Sequence, residues 1–345
     1  MVSLVLKGAA FLYRIAVSVR GTLYDYHILR SYRSRIPVVS IGNVTAGGNG
    51  KTPLCLFLAQ EFAARGLKPA ILSRGYGGSE RGPYRVNPAD SAAHVGDEPL
   101  LMAQSCSVPV YISRSRVRGA KKIEQEGLAD IILLDDGFQH RALEREVDIV
   151  TIFAGTTGAI DEFLEGRLLP EGLFREPRDR ALKRASAVVI SERRVITDSD
   201  NLPPIDSRLL GVLPPGMPVF RSFFEAVGVR NVETEKPLEA RRVHAFAAIA
   251  NPATFFDSLR ELGFTVVSHK AFPDHHAFSE ADLRALRFEH PDLPLVCTSK
   301  DAVKLSDVHP ELRGQCYALQ VAVKVVPTDA FMVALQRRLM SSKLP

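Results

Sequence analysis

Residues 36–52 read IPVVSIGNVTAGGNGKT, and this stretch decides the fold. Ile36 to Ile41 is a short β-branched run, Gly42 and Asn43 follow, and Thr45 to Thr52 spell TAGGNGKT. The next segment, PLCLFLAQEFAARG from Pro53 to Gly66, has proline near its start and glycine at its end, as a helix does. Strand, glycine loop and helix in this order make a phosphate-binding loop. Gly47, Gly48 and Gly50 let backbone N–H groups come close to phosphate oxygens. Lys51 then meets the β- and γ-phosphates of a nucleotide such as ATP, and Thr52 offers a hydroxyl to Mg2+. Thr45 stands where the first glycine of the pattern is usual, and Ala46 and Asn49 fill out the cradle.

A loop of this kind needs a second strand that ends in acid beside the metal. Ala129 to His140, ADIILLDDGFQH, supplies one: Ile131 to Leu134 reads as a buried parallel strand, with Asp135 and Asp136 at its carboxyl end. Open α/β sheets bind ligands at those ends, so the two acids are candidates for holding magnesium, directly or through water. The plainer alternative is a strand that ends in solvent. Similar runs at Ala70 to Ser73, Asp148 to Ala154 and Ala187 to Ser191 alternate with helical stretches, the rhythm of a doubly wound sheet. Ile196 to Pro218 reads as an irregular connection, and VFRSFFEAVGV from Val219 as an extended strand. A second series follows: HAFAAI from His244, TFFDSLRELG from Thr254, TVVSHKAF from Thr265, PLVCTS from Pro294 and YALQVAVKVV from Tyr317. The expected organisation is α/β, with residues 1–35 an amphipathic helix and basic segment. Residues 36–225 then form a P-loop NTPase-like domain, and residues 226–345 a smaller α/β domain.

A chain of 345 residues, 46% of them hydrophobic, can bury a substantial core and favours two domains. Cys55, Cys106, Cys297 and Cys316 have neither disulfide-framework nor zinc-ligand spacing, which fits a reducing compartment. Lys7, Arg14, Arg20, Arg30, Arg33 and Arg35 against Asp25 alone account for the whole net charge of +5. A neutral body with a basic, apolar front end argues for one anionic surface met at that end and against a nucleic-acid footprint. Lys7 and Arg14 interrupt the apolar run from Val2 to Leu23, so no charge-free stretch approaches the roughly 18 residues that span a bilayer. On a helix, Ser3, Lys7, Arg14, Ser18 and Asp25 line one stripe, while Leu4, Val5, Ala9, Leu12, Ile15 and Ala16 fall elsewhere. Two readings stay open: a helix lying in a membrane interface, favoured by the basic excess, or one packed on the protein's own core.

Further motifs run through most of the chain: LSRGYGG from Leu72, VGDEPLLMA from Val95, DDGFQHR from Asp135, GRLLPEGLFREP from Gly166, FPDHHAF from Phe272 and the KDAVKL tail of TSKDAVKL from Thr298. Together with GNVTAGGNGKTP from Gly42, the chain resembles the tetraacyldisaccharide 4'-kinase family. GK-T alone would name only a superfamily; DDGFQH, GDEP and the REP block in this order make the resemblance specific. Ser299 stands where the family has an acid, and Glu165 where it often has Asn.

The resemblance implies transfer of the ATP γ-phosphoryl group to the 4'-hydroxyl of a tetraacyldisaccharide 1-phosphate, giving lipid IVA. A lipid acceptor implies a peripheral enzyme at the cytoplasmic face of the bacterial inner membrane, with no obligate protein partner. It also makes Asp97 the base and His275 its partner, beside Lys51 on the donor side. Arg74, Tyr76, Arg116, Gln139, His140, Arg167 and Arg175 become candidates for the acceptor, which carries a phosphate. From the residues alone, Asp97 and Glu98 serve equally as a helix cap before Pro99, and Ser279 with Asp282 caps a helix that leaves His275 and His276 in a loop. If Asp97 and His275 belong to different domains, catalysis requires closure. The rival readings are a membrane-associated P-loop ATPase of the cargo-partitioning type, whose signature lysine is replaced here by Ala46, a GTPase, for which NKxD is missing, and a cytosolic small-molecule kinase.

Overall fold

Strand Val38–Asn43 is buried throughout and pairs in parallel with Ile131–Asp135 on one side and Val147–Phe153 on the other. The register sets Ile41 opposite Asp135, so the strand end that feeds the glycine loop lies beside the strand end that carries the acids. Pro69–Ser73 extends the sheet past Ile131–Asp135, while Ala187–Glu192 and then the start of Val219–Asn231 extend it past Val147–Phe153. All of these pairs are parallel. Parallel strands covered on both faces need apolar residues on both, which is why VVSI, AILS and IILL show no alternation. Helix Lys51–Ala64 packs against the three strands at the loop's side of the sheet, and Arg116–Glu126 against Pro69–Ser73.

The computed structural model describes residues 2–47, 50–192 and 202–341. Gly48, Asn49 and the first part of the expected 196–218 connection lie outside the described residues; the rest of that connection carries the short helix Ser207–Gly211. The chain forms two compact units. The first comprises residues 1–74, 113–224 and 323–345, and the second residues 75–112 and 225–322. This division departs from the expected boundaries of 36–225 and 226–345. The reason lies in packing: helix Asp97–Ser105, early in the sequence, sits against Ser299–Ala302 and Val303–Asp307, so its segment joins the later αβ series.

In the second unit, strands Thr265–Ala271, Arg242–Ala247, Leu295–Thr298 and Cys316–Val326 pair in parallel in that order. Tyr84–Arg85 and Val110–Ile112 form a small antiparallel pair. Helix Glu280–Glu289 begins with a capping box made by Ser279 and Asp282, as their spacing suggests.

The N-terminal helix, Val2–Asp25, belongs to the first unit. Ala10 is buried and Tyr13, Val17 and Gly21 are half-buried, a line at helical spacing that faces the protein. Val5, Phe11, Leu12, Ile15 and Val19 remain between 45% and 70% exposed, so an apolar face is left outward. Both open readings of this helix thus have a face of their own. Among the described residues, no helix is long and apolar enough to cross a membrane.

Candidate active site

The glycine loop in the first unit is entered along residues 173–175. Ala46 N–H donates to Leu173 O at 2.8 Å, Arg175 N–H donates to Val44 O at 2.8 Å, and Thr45 bridges to Phe174. Gly50 caps helix Lys51–Ala64 with φ +76°, and a Cβ there would lie 2.5 Å from Phe224 Cζ, so both backbone and space demand glycine. Lys51 opens the helix, its Nζ 3.3 Å from Gly47 O and 3.7 Å from Asp136 Oδ1. Asn43, which the sequence reading passed over, ends the strand and donates from Nδ2 to Gly47 O at 3.3 Å, while its buried Oδ1 has no hydrogen-bond partner among the described residues. Its position directly before the loop was the signal that could have singled it out.

Asp135 is 2% exposed and accepts a hydrogen bond from Ser73 Oγ at 2.9 Å. Asp136 follows at φ +46°, a left-handed turn that brings its carboxylate to Arg175 Nη1, 3.1 Å from each oxygen. Burial pushes the Asp136 carboxyl up, but Lys51, Arg175 and Arg116 outweigh it and hold it below the usual range, so it is ionised. Arg116, expected among surface arginines, is only 4% exposed. Burial lowers it to about 10, against the pull of Asp135 and Asp136. Gln139 donates to Asn43 O at 2.8 Å and accepts from Arg175 at 3.4 Å, which ties the acidic loop to the glycine loop. His140 is pushed down to about 4 by burial and by the positive charges of Arg116, Arg145, Arg20 and Arg74, so it is neutral at pH 7. Its buried Nε2 has no hydrogen-bond partner among the described residues. Arg74 is exposed, and Arg167 pairs with Glu165.

In the second unit, Gly96 precedes helix Asp97–Ser105 with φ +93°, and a Cβ on it would lie 2.5 Å from Tyr76 O. Asp97 is 7% exposed and uses both oxygens: Oδ1 accepts from Glu98 N–H at 2.9 Å and Oδ2 meets His275 Nδ1 at 2.9 Å. His275, at φ +61°, is a non-glycine residue in a left-handed conformation, held by its N–H bond to Ala248 O at 3.2 Å. His276 instead turns to Asp282 at 3.3 Å and stacks on Phe272. The exposed Tyr76 ring meets His275 edge-on at 5.6 Å. Lys300, not anticipated, lies 3.1 Å from Glu98 and 3.7 Å from Asp97. Burial pushes its ammonium down, but the two carboxylates more than compensate, so it stays charged. Asp97 and His275, expected in different domains if closure were to join them, share one compact unit.

A family model described as tetraacyldisaccharide-1-P 4'-kinase matches residues 2–340. The chain belongs to this family. Among curated family members, the tetraacyldisaccharide 4'-kinase of Syntrophus aciditrophicus is 34% identical over 95% of this chain and 91% of its own. That of Acidovorax sp. is 36% identical over 98% and 91%, and that of Gluconobacter oxydans 41% identical over 80% and 78%. A crystal structure of LpxK from Aquifex aeolicus in complex with ATP is similar over 98% of this chain and 99% of that one, with a TM-score of 0.77 and 29% identity. The family's P-loop kinase fold is therefore the fold of this chain. Of its motif residues, Lys51, Asp136, Gln139 and Arg175 come together in the first unit, and Asp97, His275 and Tyr76 in the second.

Proposed function

We propose that this protein transfers the γ-phosphoryl group of ATP to the 4'-hydroxyl of a tetraacyldisaccharide 1-phosphate at a membrane surface, giving lipid IVA. The contact between Asp97 Oδ2 and His275 Nδ1 at 2.9 Å carries this reading, because it sets a carboxylate and an imidazole together where a hydroxyl proton can be received. The sugar O–H bond breaks towards Asp97, the new O–P bond forms, and the bond between the γ-phosphorus and the bridging oxygen breaks, releasing ADP. Phosphoryl transfer asks the protein for positioning and charge neutralisation more than for covalent chemistry. Lys51 meets the phosphates, and the loop from Thr45 to Thr52 cradles them. Tyr76, beside His275, would contact the sugar, and His140, whose buried Nε2 has no hydrogen-bond partner among the described residues, lies on the acidic loop.

Magnesium fits the donors available. It prefers oxygen ligands, keeps water and phosphate oxygens, and needs only one or two carboxylates from the protein. The Thr52 hydroxyl, Asp135 and the ionised Asp136 are such a set, and the metal when bound would neutralise charge on the phosphates. Arg175, counted among acceptor contacts from the sequence, spends its guanidinium on Asp136 and Gln139 and so acts from the nucleotide side.

The outward apolar face of the N-terminal helix, with Lys7 and Arg14 exposed, suits a peripheral position on an anionic bilayer such as the cytoplasmic leaflet of the inner membrane. Full burial stabilises a large apolar side chain by about 1.5–3 kcal/mol, so partial immersion of five such residues suffices for reversible docking. The test is incubation of the protein with ATP, magnesium and the tetraacylated disaccharide 1-phosphate. The expected product carries one added phosphate at the 4'-position. Lack of incorporation, or phosphate at another hydroxyl, would refute the assignment.

A further inference from the structure

The C-terminal half of the N-terminal helix is fastened to the same backbone segments that present the nucleotide-side residues. Arg141, which directly follows Gln139 and His140, donates from Nη1 to Gly21 O at 2.9 Å and pairs with Asp25 at 2.7 Å. Arg180 lies across the helix from another side, donating to Ser18 O and Thr22 Oγ1, each at 2.9 Å, and pairing with the second oxygen of Asp25. Gly21 makes room for it, since a Cβ there would lie 3.1 Å from the Arg180 guanidinium carbon. These two cations satisfy carbonyls at the helix's C-terminal end, where positive charge is favoured.

Two further bonds reach the site more directly. Arg20 donates to Gln139 O at 3.3 Å, and the Tyr13 hydroxyl donates to Arg175 O at 2.9 Å. Gln139 and Arg175 are themselves bonded, and Arg175 holds Asp136. One rigid element thus carries an outward apolar face at its start and, from its middle and end, holds the backbones of Gln139 and Arg175 and the guanidinium of Arg141. Asp25 is the only acid on that element and takes both cations, which overcome the effect of its partial burial and keep it ionised.

We propose that Asp25, with Arg141 and Arg180, is a positioning device that converts seating of the helix in lipid into ordering of the loop carrying Asp136 and Gln139. The inference rests on the membrane-surface reading above. Without the clasp, the apolar face still adsorbs, but the loop is no longer set by it. The gain from the clasp therefore shows only when the acceptor is held in a bilayer.

The experiment compares full-length wild type, Asp25→Asn and Tyr13→Phe on two acceptors. One is the tetraacylated disaccharide 1-phosphate in vesicles containing phosphatidylglycerol, and the other a short-chain analogue kept monomeric in water. Both variants alter groups near the surface and are expected to retain vesicle binding and the KM for ATP. Their kcat on the vesicle acceptor is expected to fall roughly tenfold, within the range of ordinary coupling between sites, with kcat on the soluble acceptor within about twofold of wild type. Unchanged kcat on vesicles would overturn the proposal. Equal losses on both acceptors would also overturn it, because they would make the clasp a purely structural feature. Wild type that phosphorylates both acceptors but fails to bind vesicles would remove the membrane reading and the coupling with it, while leaving the kinase assignment intact.

Discussion

Asp97→Asn separates the two tasks of one carboxylate. Oδ1 accepts from the Glu98 amide at 2.9 Å, and an asparagine carbonyl can accept the same bond. The amide nitrogen then replaces Oδ2 opposite His275 Nδ1, where it can donate to the imidazole but cannot receive a proton. Lys300 loses its weaker partner at 3.7 Å and keeps Glu98 at 3.1 Å. Folding stability is therefore expected to change by less than about 1 kcal/mol, whereas Asp97→Ala also loses the bond to the Glu98 amide and costs about 1 kcal/mol more. Loss of a general base typically lowers turnover by about 10²–10⁴, equivalent to about 3–5 kcal/mol of barrier. The assay is single-turnover transfer of labelled γ-phosphate, with ATP affinity and urea unfolding measured on the same samples. Asp97→Asn should bind ATP within about twofold of wild type and unfold at nearly the same urea concentration. His275→Ala added to Asp97→Asn should cost little more, because residues acting as a unit are not additive. Turnover by Asp97→Asn within about tenfold of wild type would falsify the base assignment.

Gly50→Ala must adopt φ +76° and displace the Phe224 ring, and the left-handed backbone alone costs about 1–2 kcal/mol. If the loop escapes that strain by shifting, ATP affinity measured by calorimetry falls roughly 5–30-fold, and unchanged affinity contradicts the geometry. His140 is held neutral, its value lowered from 6.5 to about 4, so at intermediate pH the unfolded chain binds a proton that the folded chain does not. Its contribution is complete above about pH 6.5 and is lost as pH falls towards 4, by up to about 3 kcal/mol; urea titrations of His140→Asn between pH 4 and 7 should show a shallower acid slope than wild type, and equal slopes would count against the buried-neutral imidazole.

Much of the first unit was legible because its signals are local. A β-branched run, a glycine loop and a helix with proline and glycine at its ends are contiguous at residues 36–66, and each of the other parallel strands announces itself as an unbroken apolar run. The boundary between units was not legible. Residues 75–112 look like part of the first αβ series, and only the packing of helix Asp97–Ser105 against residues 299–307, some two hundred positions later, assigns them to the second. Arg116 illustrates the same limit for a side chain. Its place at the start of a polar helix reads as solvent-exposed, yet it is buried, and the carboxylates of Asp135 and Asp136, brought near by the sheet, offset only part of the effect of that burial.

Asp97 shows why the choice between cap and base could not be made from spacing. An acid at the start of a helix satisfies free amides, and nothing in the pattern GDEP says where its second oxygen points. In the structure Gly96 is the N-cap and Asp97 the first helical residue, so no side-chain cap forms; Oδ1 accepts instead from the next amide, Glu98, and Oδ2 meets the imidazole at 2.9 Å. Gly96 enforces the arrangement from behind, because at φ +93° a Cβ on it would come within 2.5 Å of Tyr76 O. On the other side, Ala248 O secures the strained backbone of His275 and also accepts from the buried Lys304, whose partner Asp301 holds the Ala248 amide. A side chain that looks like a helix cap becomes a candidate base when its second oxygen is held by a residue whose own backbone is strained and buttressed, and that condition is written in contacts far apart in the chain.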